Sequence, residues 1–301
     1  MLAKNATILT FTGITPETLE AAVSIRPFAP CGASDAVSRG FVPPIEAQES
    51  LVRIVDNVAV IAMREDSKVL PASVVVEETK LRSKKFEEQQ GFSVGRKQMR
   101  EIKELVIIEL LAKAFARASI TRAWFDFKAG LLVVDSSSAT KVDSLIGLLC
   151  KSLGGDYELR RWRTNVIPSS QFTNWVQTSE PPHSFSIDDR ALLKNHEGGG
   201  TIRITNNNIN LDDIKELIEN GRSCVELAMT YDDKFSFVLT KDLVLKRIGY
   251  IGLEDRDPDM DEMSIFDAEI ILSANAAREA FSAINSVLGG VVSIEKVEAA
   301  R

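Results

Sequence analysis

Runs of β-branched and apolar residues separated by polar bends predict a series of short strands. The runs are residues 6–12, 57–63, 224–231, 234–239 and 243–251. The last three are separated by only a few residues, which is typical of an antiparallel meander. After the first run, Thr15-Pro16-Glu17 has the N-terminal signature of a helix, here a short one ending near Ile25. These patterns predict an α+β protein with mostly antiparallel sheets and packed helices.

A longer helical pattern covers residues 75–118, with a break between Gly91 and Gly95. At 100° per residue, five cations of its second helix fall within an arc of about 140°. They are Arg96, Arg100, Lys103, Lys113 and Arg117. The middle of this helix, residues 105–111, is apolar nearly all round. The pattern predicts a helix that is buried at its waist and presents cations at both ends.

The sequence contains a weak internal repeat. Residues 138–155 align without gaps on residues 273–290, and both copies start with Ser-Ala and end with Leu-Gly-Gly. We expect each copy to be a helix that follows strands and ends at a glycine. The expected strands are residues 123–135 and 266–272, and the glycines are Gly154 and Gly289. The repeat therefore predicts duplication of a strand-strand-helix unit.

Three units are predicted along the chain: a central α+β region with two related halves, a basic helical excursion and a finger-like insertion. The insertion combines a strand, an asparagine-rich turn and a short helix that Gly221 closes. The central region is residues 1–74 and 123–301, with the related halves at 123–155 and 266–290; the excursion is residues 75–122; the insertion is residues 199–222.

Charge is distributed unevenly along the 301 residues. The net charge of −7 argues against nucleic-acid binding, yet residues 80–122 contain eleven Lys and Arg against five Glu. At the other extreme, residues 254–269 contain eight Asp and Glu against Arg256 alone. The two poles indicate either one surface that faces a polyanion and another that repels it, or two ordinary solvated surfaces.

Composition and cysteine usage indicate the class of protein and its compartment. With 45% hydrophobic and 26% charged residues, the chain is not intrinsically disordered. Cys31, Cys150 and Cys224 have neither disulfide nor zinc spacing, which indicates a reducing compartment. The sequence shows no signal-peptide pattern and no uncharged apolar run of about 20 residues. We therefore expect a cytoplasmic protein without a membrane span.

Motifs for catalysis are weak. His183 and His196 have no companions at metal-ligand spacing, and no phosphate-binding glycine loop or nucleophile elbow occurs. Residues 255–261 alternate carboxylates as a calcium loop does, but Met260 replaces the glycine of the sharp turn. Residues 160–163, Arg-Arg-Trp-Arg, form either a basic cluster with a stacking aromatic or a buried anchor beside an exposed strand. We expect no enzyme, metal or cofactor.

A series of short motifs occurs in a fixed order along nearly the whole chain. They are Pro27-Phe28-Ala29-Pro30-Cys31-Gly32, Gly40-Phe41-Val42-Pro43-Pro44, Leu70-Pro71, Gly95-Arg96-Lys97, Leu110-Leu111-Ala112-Lys113-Ala114-Phe115-Ala116-Arg117, Trp124-Phe125-Asp126, Val134-Asp135-Ser136-Ser137-Ser138-Ala139, Lys151-Ser152-Leu153-Gly154, Gly199-Gly200-Thr201-Ile202-Arg203 and Phe266-Asp267-Ala268-Glu269. Together they resemble the recombination-associated protein RdgC family of bacteria. An ordered series of this length is more specific than any single motif.

The resemblance implies a ring-shaped homodimer that encircles duplex DNA. It further implies binding without sequence preference, limitation of the access of RecA to DNA, and a cytoplasmic location at the nucleoid. Single-stranded DNA remains an alternative ligand. Combined with the basic window, the resemblance assigns DNA contacts to nine cations. They are Lys80, Arg82, Lys84, Lys85, Arg96, Lys97, Arg100, Lys113 and Arg117.

The resemblance also assigns the contacts that close the ring. It places them at Phe115 and at a tip formed by Asn206 and Asn207. On residue type alone, Phe115 is instead a candidate for the core. The chain departs from the family pattern at Ala112, where proline is usual, and at the tip, which is more basic in the family.

A second hypothesis assigns the regulatory surface to the acidic segment, residues 254–269. This face would imitate DNA or bind a recombination protein directly, without any encircling of DNA. A third class, a phosphoesterase, requires a metal site that the sequence does not show.

Overall fold

The computed structural model describes residues 2–195, 198–205, 211–253 and 260–292, which form twelve strands and seven helices. The strands are β1 (Asn5–Thr12), β2 (Val37–Val42), β3 (Val52–Val55), β4 (Val58–Lys68), β5 (Ala116–Asp126), β6 (Leu131–Val134), β7 (Glu158–Arg161), β8 (Phe185–Asn195), β9 (Thr201–Ile204), β10 (Arg222–Tyr231), β11 (Phe235–Thr240) and β12 (Val244–Tyr250). The helices are α1 (Pro16–Ile25), α2 (Ala72–Gln90), α3 (Arg96–Lys113), α4 (Ala139–Cys150), α5 (Pro168–Thr178), α6 (Leu211–Glu219) and α7 (Glu262–Val287).

The strands join one sheet in which every described pairing between them is antiparallel. Its order is β2-β4-β5-β6-β1-β12-β11-β10-β8-β9, while β3 pairs with β4 and β7 pairs with β1. The predicted meander is confirmed as β10, β11 and β12. The predicted α+β class with mostly antiparallel strands is confirmed as well.

Helices cover both faces of the half of the sheet that contains β4, β5, β6 and β1. One core cluster lies between the sheet and α5, α6 and α7, and it includes Val60 and Val133. The other lies between the opposite face and α1 and α4, and it includes Ile61 and Leu132. Neighbouring residues of a strand thus enter different cores, because side chains alternate between the faces of a sheet.

The other half of the sheet, β12, β11, β10, β8 and β9, is covered on one face. Leu193, Leu239 and Leu245 are buried in the cluster with α5, α6 and α7. The cluster with α1 and α4 contains no residue of these five strands. Over the described residues, the opposite face is therefore open to solvent, and it forms the floor of two adjoining cavities.

The long C-terminal helix corrects one prediction. Residues 266–272 lie inside α7 and are not a strand. Asp261 caps this helix by accepting from the backbone N–H groups of Met263 and Ser264, and burial of Phe266, Ile270 and Ala274 follows the helical period. The second copy of the repeat is thus the end of a 26-residue helix, so the repeated strand-strand-helix unit is not seen there.

The glycines predicted to end the repeated helices behave differently. Gly289 follows Leu288, the C-cap residue of α7, and adopts a positive φ of 74°, as expected of a glycine at a helix end. Helix α4 ends at Cys150 with Lys151 as its C-cap, so the prediction that Gly154 ends it is wrong, and the positive φ that follows belongs to Gly155. Residues of the predicted insertion contribute to the body of the molecule: β9 pairs with β8 at the sheet edge, and Ile214 of α6 is buried in the core.

The cysteines differ in accessibility, which gives the first testable prediction. Cys224 is fully buried and burial raises the pKa of its thiol to about 12, whereas Cys150 is exposed. Since the thiolate is the reactive form, a maleimide at pH 8 is expected to label Cys150 and leave Cys224 unmodified until the protein unfolds. Peptide mapping by mass spectrometry checks this, and equal labelling of both residues in the native protein would contradict the buried position.

Candidate nucleic-acid interface

Two antiparallel helices project most of the predicted cations. We call α2 and α3 with their connection, residues 72–113, the helical arm. Its own core is small: Val75, Ile102 and Val106 are buried between the two helices. Gly91 ends α2 in the left-handed conformation with a φ of 79°, and Glu87 accepts a hydrogen bond from the N–H of Val94 in the connection. The two helices are thus held as one rigid hairpin.

Most of the predicted DNA-binding residues are exposed on this arm. Lys80, Lys84, Lys85, Arg96, Lys97 and Lys113 are exposed, and none of them forms an ion pair with another described residue. Arg100 lies 3.7 Å from Glu104, with both side chains mostly in solvent. Such a surface ion pair contributes little to the stability of the fold, so Arg100 can exchange Glu104 for an incoming anion.

Arg82 differs from the other cations on the arm. Its guanidinium donates to both carboxylate oxygens of Glu109 at 2.9 and 2.6 Å, and its Nε donates to Glu78 at 2.9 Å. These hydrogen bonds raise the pKa of Arg82, and the guanidinium lowers the pKa of the Glu109 carboxyl. Arg82 therefore links α2 to α3 within the arm.

The helical pattern predicted to reach residue 118 ends earlier. Helix α3 stops at Lys113, and Arg117 lies on β5, opposite Ser67 of β4. The β-branched residues Ile120 and Thr121 and the ladder to all of β4 favour the strand. Arg117 is exposed there, whereas Arg122 donates to the carbonyl of Pro44 at 3.0 Å. The basic window thus covers three structural elements, the two helices of the arm and the first part of β5.

The waist of α3 is not buried all round, contrary to the prediction. Val106 is fully buried, but Leu105 and Ile108 are 56% and 51% exposed. Within the described part of the chain, the core of the arm is formed between α2 and α3, and Leu105 and Ile108 lie outside it in solvent. An apolar strip of the arm is therefore available to another surface.

Phe115 is the most exposed of the large apolar residues that the structure describes. Its side chain is 89% exposed, which contradicts a core position. Its carbonyl accepts a hydrogen bond from the N–H of Val69 at 2.9 Å, so the backbone is fixed where the arm joins the sheet. A rigidly placed, uncovered aromatic is typical of an interface anchor. Asn206 and Asn207, the other predicted contacts, lie outside the described residues.

Most of the described carboxylates of the acidic segment stabilise the fold. Asp261 caps α7, and its hydrogen bonds to Ser264 lower the pKa of the carboxyl. Asp267 accepts two hydrogen bonds from the Arg53 guanidinium, while Glu269 is buried. Residues 254–259 lie outside the described residues.

The Arg-Trp-Arg cluster is built around a buried anchor. Trp162 is 4% exposed, donates from Nε1 to Asn285 at 2.7 Å and contacts the Phe281 ring. Its indole is therefore not available for stacking on a base. Arg161 pairs with Asp143, whereas Arg163 is exposed.

The structure brings together a basic surface that the sequence did not predict. We call the two adjoining cavities on the open face of the sheet the basic cleft. The larger cavity, about 800 Å³, is lined by five cations and two carboxylates, and the smaller adds three arginines. The cations are Arg161, Arg163, Lys194, Lys241 and Lys246 in the larger cavity and Arg190, Arg203 and Arg247 in the smaller.

Neither a metal cluster nor a membrane span was found in the described part of the chain. Groups of three or more His, Cys, Asp or Glu side chains placed to hold a metal ion do not occur among those residues. Within the same residues, no helix combines the length and the apolar composition needed to cross a bilayer. His183 is exposed in the loop before β8, and His196 lies outside the described residues.

Comparison with known proteins supports the resemblance seen in the motifs. A sequence model of the family described as "Putative exonuclease, RdgC" matches residues 1–291. This chain belongs to the RdgC family. It is 35% identical over 281 residues to the recombination-associated protein RdgC of Paraburkholderia phymatum, covering 92% of each chain.

Other members of the RdgC family are similar to this chain to about the same degree. The protein of Ralstonia nicotianae is 34% identical over 281 residues, which cover 92% of this chain and 91% of the relative. That of Janthinobacterium sp. strain Marseille is 34% identical over 283 residues, covering 93% and 94%. The curated relatives are named as recombination-associated proteins, so membership connects this chain to recombination.

Proposed function

We propose that this RdgC-family protein is a sequence-independent DNA-binding protein that acts as a homodimeric clamp around duplex DNA. In this proposal the clamp occupies DNA at the nucleoid and thereby limits the access of RecA during recombination and replication, without catalysis. The observation that carries the proposal is the set of exposed arm cations that form no ion pair with another described residue, together with Arg117 at the base of the arm. Lysine and arginine in this state bind phosphates and release counterions.

The apolar surface beside these cations supports a dimer. Leu105 and Ile108 on α3 and Phe115 at the arm's base are exposed in the single chain. A second copy would bury them and bring two sets of arm cations together. Such an arrangement lets an acidic protein present a basic surface to DNA, because the net charge of −7 need not be spread evenly.

The test is a salt titration of binding to a linear duplex and to a covalently closed duplex of the same sequence. With at least four phosphates neutralised, the logarithm of the affinity is expected to fall with the logarithm of salt with a slope of about −3.6 or steeper, at about −0.9 per phosphate. Changing the base sequence is expected to leave the affinity unchanged, since backbone contacts carry no base information. Sedimentation measures the mass of the protein in the same buffers.

Three results would overturn the proposal. Weak binding without a salt slope removes the DNA-binding function, and a monomer at every concentration removes the clamp. Shortening of an end-labelled duplex in the presence of Mg²⁺ would show a nuclease.

Reversing Lys84, Lys85 and Lys97 to Glu is expected to abolish the limitation of RecA, whereas a regulator acting through its acidic segment would be unaffected by these changes.

A further inference from the structure

The open face of the sheet combines apolar and cationic side chains in one concave surface. On β8, Leu192 and Lys194 line the cleft while Leu193 between them is buried in the core. The same alternation places Lys246 of β12 in the cleft beside the buried Leu245. The alternation of side chains along the strands therefore places the cations on the cleft side of the sheet and the leucines in the core.

Three of the cleft's cations have no ion-pair partner in the described part of the chain. Arg163, Lys194 and Lys241 are exposed, and none of the described residues forms an ion pair with them. Of the two carboxylates that line the larger cavity, Glu226 accepts from Nζ of Lys246 at 2.7 Å and is neutralised. The other carboxylate is Asp242, which is exposed and follows Lys241 in the chain. Two carboxylates against eight cations in the lining of the two cavities leave the cleft positive.

The smaller cavity extends this charge along the sheet. It shares Leu192, Glu226 and Lys246 with the larger one, so the two are continuous. Within it, the Nε of Arg190 is buried without a hydrogen-bond acceptor among the described residues, and the same Nε lies 3.8 Å from Oδ1 of Asp189, too far for a hydrogen bond. A buried donor without an acceptor is costly, so an anionic oxygen from a ligand would satisfy it.

The cleft's size and chemistry indicate the class of ligand. About 800 Å³ exceeds the volume needed for one phosphate group and accommodates several units of a polyanion. Among the described residues that line the two cavities, Trp162 is the single aromatic, and its ring is buried with its N–H bonded to Asn285. The cleft therefore offers phosphate contacts without a platform for base stacking.

We propose that the basic cleft is a second binding site for the phosphate backbone of DNA, built by the sheet and separate from the arm. The inference rests on the proposed DNA-binding function and adds a surface to it. In the clamp, this site would hold DNA against the central body while the arms enclose it. Contacts with the backbone make the site indifferent to base sequence, as the arm is.

Charge reversal tests the site. The variant Arg163→Glu/Lys194→Glu/Lys241→Glu is expected to bind a 30-base-pair duplex at least tenfold more weakly at low salt. Its salt slope is expected to be shallower by about two to three, since about 0.9 is lost per contact. A control with the same change in net charge, Arg26→Glu/Lys128→Glu/Lys151→Glu, alters exposed cations outside the arm and the cleft. Circular dichroism verifies that each variant is folded.

The outcomes separate the two proposals. If the cleft variant behaves like the control while Lys84→Glu/Lys85→Glu/Lys97→Glu loses affinity, the clamp stands and the cleft is not a DNA site. If the unmodified protein itself shows no salt-dependent binding, the proposed function fails. If all three variants lose affinity equally, net charge explains the loss and the cleft proposal is overturned.

A measurement on the unmodified protein covers the case in which the triple variant does not fold. Acetylation of lysines, mapped by mass spectrometry, is expected to slow several-fold at Lys194 and Lys241 when the duplex is bound, but not at Lys151. Tripolyphosphate at the same phosphate concentration is the comparison. Equal protection by tripolyphosphate would assign the cleft to a free polyanion, and no protection by DNA would overturn the inference.

Discussion

Replacing Arg278 with alanine is expected to lower the free energy of unfolding by about 3 kcal/mol, because it leaves a buried carboxylate without its cation. Arg278 of α7 donates from Nε and Nη2 to Asp126 at 2.9 and 2.6 Å, and Asp126 is 1% exposed. The other oxygen of Asp126 accepts from the backbone N–H groups of Lys128 and Ala129 in the β5–β6 turn. One carboxylate thus ties the long helix to the sheet.

Chemical denaturation followed by tryptophan fluorescence measures this loss, since Trp124, Trp162 and Trp175 are all buried in the core cluster with α7. Protein concentration is held constant, because a dimer would add a concentration-dependent contribution. The control is Arg160→Ala, whose exposed pair with Glu158 is expected to contribute less than about 1 kcal/mol. Adding Asp126→Asn to Arg278→Ala should restore stability, as the buried charge is then gone. Equal losses for both arginines would contradict the buried position of Asp126.

Alternation and helix capping made much of the central region predictable from the sequence. The meander, the first strand and α1 with its Thr15 cap agree with their patterns. The prediction of a strand at 266–272 was wrong. Over a few residues, Ile270, Ile271 and Leu272 have the composition of a strand. The Asp261 cap and the helical spacing of the buried residues along α7 favour a helix. This spacing can be recognised only over several turns.

The charge count along the chain predicted where the cations of the arm lie but not which of them are free to bind. The window of residues 80–122 groups the exposed Lys84 and Lys97 with Arg82, which is bound to Glu109, and with Arg122 on the strand. A linear count cannot show which cations have partners, since Arg82 and Glu109 are 27 residues apart and meet only when α2 packs on α3.

The basic cleft was missed for a related reason. Arg161 and Arg163 belong to the Arg-Arg-Trp-Arg cluster that the sequence does show. The other six cations are spread from Arg190 to Arg247, in stretches that also contain carboxylates, so no window has a marked excess there. The alternation Leu192-Leu193-Lys194 does show a cation on the face opposite the core. The neighbours of β8 follow only from the sheet order. That no helix core of the described residues covers their outer face follows only from the packing.

Replacing Phe115 with aspartate is expected to weaken dimerisation at least 100-fold while leaving the fold of each subunit intact. The ring is 89% exposed, so the single chain loses no packing. At an interface, by contrast, loss of an aromatic anchor costs about 2 to 4 kcal/mol, and a carboxylate buried in its place adds to that cost. Each 1.4 kcal/mol corresponds to a tenfold change in Kd. Sedimentation equilibrium measures the association, and thermal unfolding of the dilute protein verifies the fold.

Phe92→Asp is the matched control, because Phe92 is a 66% exposed aromatic at the far end of the arm. Phe92 precedes α3 and Phe115 follows it, and the 18 residues of α3 span about 27 Å at a rise of about 1.5 Å per residue. A contact at the base of the arm predicts loss of the dimer in Phe115→Asp only, with faster release of covalently closed duplex by that variant. An unchanged Kd in Phe115→Asp would place the ring-closing contact elsewhere, and loss in both variants would extend the interface over the full arm.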